Sequence, residues 1–157
     1  MRIPRRIVVP TDLSEFSLEA LRYAEEVARL FNGEILVLHV IDPRVKTGAK
    51  ADDAEFEARK AVVHLLMEHA IVPQSLRLEI SRGSAVEEIL KTVTQFQADL
   101  VIMSTHGRSG LRNVLMGSIA EHVVRLSPVP VLTVKPEGPD EIVELRKEDI
   151  KLNLHLN

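Results

Sequence analysis

Along this chain, short apolar runs alternate with segments of helical period, and little sequence is left over between them. Ile7, Val8 and Val9 form a continuous apolar run closed by Pro10, the pattern of a strand buried on both faces. Ser14 is placed to cap a helix whose Ala20, Ala24, Val27 and Phe31 recur at three- and four-residue spacing, with Asn32-Gly33 as its stop, the glycine taking the left-handed cap conformation. A second run, Ile35 to Ile41, closes at Asp42-Pro43, and residues 42–52 read as a connecting loop. A second helix with Ala58, Val62, Leu65 and Leu66 on one side precedes Pro73 and the alternating strand Leu76 to Ile80. Ser84 with Glu87 has the spacing of a capping box ahead of a third helix with Val86, Ile89, Leu90 and Val93 as its buried stripe. Leu100 to Met103 is a fourth run. A fourth helix follows, with Ile119, Ala120, Val123 and Val124 facing inward, and Pro128 and Pro130 lead into the last strand, Val131 to Val134.

Strand–helix alternation with such short connections requires right-handed crossovers, hence a parallel sheet with helices on both faces. The two most apolar runs, the second and fourth, belong beside the central first strand. The expected fold is therefore an α/β protein, Rossmann-like, with a five-stranded parallel sheet in the order 3-2-1-4-5 and a switch point between strands one and four. The clean alternation of Leu76 to Ile80 suits a strand near a sheet edge with one face toward water. At 157 residues the chain is long enough for one domain with a proper core. The domain is expected over residues 1–136. Residues 137–149 are charged, and Ile150, Leu152, Leu154 and Leu156 then alternate with Lys151, Asn153, His155 and Asn157. Residues 137–157 are read as a C-terminal tail, either frayed or an extra strand paired with a sheet edge.

Composition removes several classes of function. A net charge of −3 supplies no basic surplus for nucleic acid, and the absence of Trp with a single Tyr, Tyr23, leaves no stacking platform for single strands. No run approaches the ~20 apolar residues that cross a bilayer, and the amino terminus has a basic pair but no apolar stretch or cleavage site of a secretory signal. Zero cysteines removes disulfides, thiolate metal sites and cysteine nucleophiles. A cytoplasmic location, with no membrane and no nucleic-acid partner, is the expectation.

In an open parallel sheet, ligands bind outside the carboxyl ends of the strands at the switch point. Two loops converge there: Pro10-Thr11-Asp12, and residues 104–118, with Val40 bordering the same crevice. The second loop carries Gly107, Gly110 and Gly117, which permit close backbone approach or positive φ, and Arg108, a cation with several donors. Gly117-Ser118 stands at a helix start, where free N–H groups and the positive dipole end favour phosphate, although Ser118 with Glu121 has the spacing of a plain capping box. Neither GxxxxGK[ST] nor GxGxxG is present. Gly107-Arg108-Ser109-Gly110 is one residue short of a hydrolase elbow. His64 and His69 are five apart and do not share a helix face as metal ligands would. His39 reads as a core or rim histidine, His122 has no partner visible in the sequence, and His106 in the glycine loop is either a phosphate donor or a structural hydrogen bonder. Glu25-Glu26, Asp52-Asp53 and Glu87-Glu88 fall on helix surfaces.

Four separated segments resemble, in order, the universal stress protein family of the ATP-binding, UspA-like type, whose fold is the adenine nucleotide alpha hydrolase-like variant of the Rossmann architecture. They are Val9-Pro10-Thr11-Asp12-Leu13-Ser14, the strand end His39-Val40, the loop from Thr105 to Leu111 with Gly117-Ser118-Ile119-Ala120-Glu121, and Pro128-Val129-Pro130-Val131-Leu132. The family motif Gly-x2-Gly-x9-Gly-(Ser/Thr) is matched at Gly107 and Gly117-Ser118, and its first glycine is Ser104 here. In the family that position packs against the ribose, so a hydroxymethyl group changes the pose of a ligand. The resemblance implies a regulatory protein of the stress response that binds ATP, AMP or another adenine nucleotide, with Mg²⁺ bridging the phosphates. Asp12 with Pro10 and Thr11, and the Val40 backbone, would contact adenosine; Met103 and Ser104 would line the adenine and ribose wall. Backbone N–H groups at Gly107-Arg108, beside His106, and from Gly117 through Ser118 to Ile119 would hold phosphates. Residues for catalysis are not identified, so slow ATP hydrolysis is the most the resemblance implies. It also implies a homodimer through Val131–Val134. The alternative reading is a dimeric interaction module of the same fold that works without nucleotide.

Overall fold

The computed structural model describes residues 3–44, 51–71, 75–105 and 116–135; the expected tail, residues 137–157, lies outside the described residues. Five strands and four helices alternate: β1 (Arg6–Thr11), α1 (Glu15–Phe31), β2 (Glu34–Ile41), α2 (Ala51–Glu68), β3 (Leu76–Arg82), α3 (Ala85–Gln95), β4 (Leu100–Ser104), α4 (Ser118–Leu126) and β5 (Val131–Val134). The strands form one parallel sheet in the order β3-β2-β1-β4-β5, as the apolar runs predict. Register is set by the two-residue period of side chains: a shift of one residue would exchange the two faces of every strand. Ile7 lies beside Ile35 and Leu100, and Val8 beside Leu36 and Val101.

The sheet has a core on each face. Ile7, Val9, Ile35, Val37 and Ile102 point to one side, where α1 and α2 bring Leu18, Leu21, Ala24, Val62 and Leu66. Val8, Leu36, Leu38, Val101 and Met103 point to the other, under Ile89 and Val93 of α3 and Ala120 and Val123 of α4. Some expected core positions differ. In α1, Ala20 and Ala24 are buried and Val27 packs on the core as expected, joined by Leu18, Leu21 and Ala28, while Phe31 in its last turn is exposed. On α4, Ala120 and Val123 are buried while Ile119 and Val124 are exposed, because a nine-residue helix covering one flank of the sheet buries only one row of side chains.

The caps also differ in detail from their motifs. Ser14 does cap α1, its side chain accepting from the Ser17 N–H. At the other end the left-handed residue is Asn32 (φ 50°), not Gly33. Gly33 serves close approach instead, since a Cβ there would lie 3.1 Å from the Arg5 carbonyl oxygen. Ser84 is the N-cap of α3 but makes no side-chain capping bond, so the Ser84–Glu87 box does not form.

Asp99, ahead of β4, ties the amino-terminal ends of the central strands together. Its Oδ2 accepts from the Arg5 and Arg6 N–H groups at 3.2 and 3.1 Å, and its own N–H donates to the Arg6 carbonyl at 2.8 Å. Replacing Asp99→Ala strands two backbone donors and is expected to cost about 1–2 kcal/mol in urea unfolding, with Asp99→Asn costing less. Equal stability of the alanine variant and the parent chain would remove this role.

Candidate functional site

Every crossover in this parallel sheet begins with a strand-to-helix loop at the carboxyl rim, and β1 and β4 lead into helices on opposite faces. A cleft of about 1080 Å³ opens there. Pro10, Thr11, Asp12, Val40, Met103, Ser104, Gly117, Ser118 and Ile119 all line it, so the structure brings together nine of the twelve residues singled out from the sequence. His106, Gly107 and Arg108, with Gly110, lie outside the described residues.

The β1–α1 loop is held by short-range polar contacts. The Thr11 hydroxyl meets the Ser17 hydroxyl at 2.8 Å and accepts from the Leu13 N–H at 3.1 Å. Asp12 Oδ1 accepts from the Ser14 N–H at 3.1 Å and from the Ser14 hydroxyl, an Asx turn ahead of the helix. This turn carries Leu13 at φ 65°, a conformation uncommon for a branched residue. The Asp12 carboxylate is thus oriented at the cleft by its own loop. His39 is half-buried and its Nδ1–H donates to the Thr11 carbonyl at 2.8 Å, which makes it the expected rim histidine and clamps β2 to the end of β1.

The opposite wall is built from the end of β4 and the start of α4. Met103, Ser104 and Thr105 are buried, and the Thr105 N–H donates to the Val134 carbonyl at 3.0 Å. The Thr105 carbonyl in turn accepts from the Gly117 N–H at 2.7 Å. A Cβ on Gly117 would stand 3.3 Å from that same oxygen, a tight contact that a few tenths of an ångström would relieve; its φ of −68° makes no demand for glycine. Gly117, not Ser118, is the N-cap of α4, and no side-chain capping bond forms. The Ser118–Glu121 box is therefore absent. The first intrahelical bond is Glu121 N–H to Gly117 O at 2.9 Å, which leaves the N–H groups of Ser118, Ile119 and Ala120 without intrahelical acceptors at the positive end of the helix. His122 has a partner that the sequence does not reveal: its Nδ1–H donates to the Ser118 carbonyl at 2.6 Å.

Two parts of the rim carry no sequence signal. The cleft continues past Val40 to Gly83, Ser84, Ala85 and Val86 at the start of α3, and to Ala54, Glu57 and Ala58 of α2. Asp42 and Arg44 also line it, joined by Arg44 Nε to both carboxylate oxygens (2.9 and 3.1 Å) and by Nη2 to Oδ2 at 2.6 Å. Hydrogen bonds from the Arg44 side chain and backbone hold the Asp42 carboxyl down at about 2. Because the folded value is depressed, the pair is intact above the ordinary carboxylate range and is lost as pH falls through about 2. A carboxyl-detected NMR titration should find Asp42 with a midpoint near 2, and Arg44→Ala should return it toward 3.8. A midpoint near 3.8 in the parent chain would break the pair as described. Among the described residues no group of three His, Cys, Asp or Glu could hold a metal ion, and no helix is long and apolar enough to cross a membrane.

A doubly wound parallel sheet with its cleft at the β1–β4 switch point defines a Rossmann-like α/β protein. The universal stress protein family profile matches residues 4–135, and the chain belongs to that family. The universal stress protein MJ0531 of Methanocaldococcus jannaschii is 32% identical over 142 residues, covering 83% of this chain and 82% of that protein. The solved structure of MJ0577, a protein of the same organism, superposes with a TM-score of 0.74 at 30% identity, covering 88% of this chain and all of that one. A universal stress protein crystallised in complex with cAMP has the same fold, with a TM-score of 0.66 at 24% identity over 85% of this chain and 98% of its own.

Proposed function

We propose that this universal stress protein is an adenine-nucleotide-binding regulatory protein of the stress response, acting in the cytoplasm, with ATP as its ligand. The supporting observation is the cleft itself: the Asp12 turn, Val40, Met103-Ser104 and the open amino-terminal turn of α4 share one space. In this reading, adenosine lies between the Val40 backbone, Asp12 and the Met103-Ser104 wall. The phosphates lie on the Ser118, Ile119 and Ala120 amides, where the helix dipole and unpaired N–H groups favour negative charge. The buried Ser104 forms wall and does not close the cleft. Residues 106–108 would complete the phosphate cradle. Mg²⁺ would arrive on the phosphates with most of its waters, since the described residues offer no acidic cage. The known complex of a relative with cAMP supports an adenine ligand.

The nucleotide-binding domain is taken as residues 1–136, with residues 137–157 following it in sequence as a tail that can supply an extra strand. The protein works as a homodimer through β5. All four β5 residues are half-buried at the sheet edge, and antiparallel pairing of two such edges about a two-fold axis would cover both. Sedimentation at micromolar concentration should give the mass of two chains; a monomer alone would remove the dimer.

Native mass spectrometry of protein purified without added nucleotide tests the ligand. An adenine nucleotide released on denaturation is the expected result. Dimeric protein that releases none and takes up none would favour the nucleotide-independent interaction module.

A further inference from the structure

The β3 side of the sheet leaves a corner with two walls. One wall is the backbone edge. Ser75 O accepts from Ile35 N–H and Gly83 N–H donates to Ile41 O, so odd-numbered residues of this strand turn their peptide groups toward β2. Leu76, Leu78 and Ile80 therefore turn theirs away from the sheet, and the Leu78 carbonyl is met by Arg59 Nη1 of α2 at 3.4 Å. The other wall is the flank of α2. Going round the helix from the buried Val62 and Leu66, Arg59 comes first, and beyond it Phe56, Val63 and Met67 form a stripe at spacings of seven and four. Phe56 is 66% and Met67 74% exposed. An apolar stripe on the flank beside a strand edge that no other strand among the described residues covers is the surface an added strand would cover.

The faces of β3 specify what kind of strand fits. Leu78 and Ile80 pack toward α2, whereas Arg77 lies over the Phe96 ring and Glu79 accepts from the Thr92 and Ser81 hydroxyls on the α3 side. The fitting strand is apolar toward α2 and polar toward α3. β5, by contrast, sends Val131 to one core and Leu132 and Val134 to the other, so its edge asks for apolar side chains on both faces.

We propose that residues 150–156 of this same chain add to β3 as a sixth, antiparallel strand. Ile150, Leu152, Leu154 and Leu156 alternate with Lys151, Asn153 and His155, the one-faced pattern that β3 requires and β5 does not. Seven residues match the seven of β3. From Lys135 at the carboxyl end of β5, residues 136–149 can span up to about 48 Å, while a strand added outside β3 lies five strand spacings away, roughly 24 Å. Arrival from the carboxyl rim makes the pairing antiparallel, a common ending for an otherwise parallel sheet. The outward peptide groups of Leu78 and Ile80 place them in hydrogen-bonded pairs with Leu154 and Leu152, all four side chains facing α2. Ser81 then stands opposite Lys151 in a non-hydrogen-bonded pair, with Cα atoms about 4.5 Å apart.

The chain has no cysteine, so a disulfide reports this pairing cleanly. In the full-length variant S81C/K151C, mild oxidation should link the two introduced cysteines within one chain, seen as a reducible monomer-sized band and a linked peptide by mass spectrometry. T133C/K151C should form no link between positions 133 and 151 within a chain. Hydrogen exchange supplies the second measurement: L152N/L154N should speed exchange at the Leu78 and Ile80 amides at least tenfold. A disulfide formed within the T133C/K151C chain, a link only between chains, no link at all in S81C/K151C, or exchange rates indifferent to L152N/L154N would each overturn the proposal.

Discussion

Gly117→Val should weaken ATP binding by about 100-fold, equivalent to roughly 2.7 kcal/mol, while the fold persists. The backbone at this N-cap is extended (φ −68°, ψ 151°), so valine meets no conformational objection. The objection is spatial. The first side-chain carbon would stand 3.3 Å from the Thr105 carbonyl that Gly117 itself binds at 2.7 Å, and the γ-methyl groups need more room still. The start of α4 must move away from β4, and the Ser118–Ala120 amides move with it. Gly117→Ala, with one carbon in a contact that a few tenths of an ångström would relieve, should lose much less. Binding measured by calorimetry beside a thermal melt separates the two effects. A valine variant that binds ATP as the parent does would remove the α4 turn from the phosphate site.

The largest loss of stability is expected from Ile102→Ala. Ile102 is fully buried in the middle of β4, beside Leu132 of β5 and in the cluster that includes Leu21 and Ala24 of α1. Removing three carbons from a close-packed position costs their transfer from water and leaves a cavity, together about 3 kcal/mol and roughly 10 °C in melting temperature. Val124→Ala, on the exposed side of α4, should change stability by no more than about 0.5 kcal/mol. Comparable losses for the two variants would show that the burial assigned to β4 and α4 is wrong.

Much of this architecture is legible in the residues because apolar runs and their breakers carry it. Ile7–Val9, Ile35–Ile41 and Leu100–Met103 can only be buried strands in a chain so regularly interrupted by helical periods, and strand order follows from ranking them. The cleft is equally legible, since the switch point directs attention to Pro10–Asp12 and to Gly117-Ser118. What composition and spacing do not encode is the choice among local bonds that satisfy the same motif. Ser84 and Ser118 both sit at capping-box spacing, yet neither makes the bond: Ser84 is the N-cap of α3 without a side-chain capping bond, and at α4 the cap position falls on Gly117, one residue before the serine. Asn32 takes the left-handed position that the helix stop at Asn32-Gly33 assigns to the glycine. The Asp42–Arg44 pair and the reach of the cleft to Gly83–Val86 depend on how far β2 and β3 extend past the rim, a three-dimensional quantity with no one-residue signal.

Titrating nucleotide-stripped, full-length protein with ATP, AMP, cAMP and GTP by isothermal calorimetry tests the claim that this cleft seats an adenine nucleotide. Saturable binding of one adenine nucleotide per chain, with GTP clearly weaker, is the predicted result. No saturable heat with any adenine nucleotide up to millimolar concentration, from protein that remains folded, would contradict it.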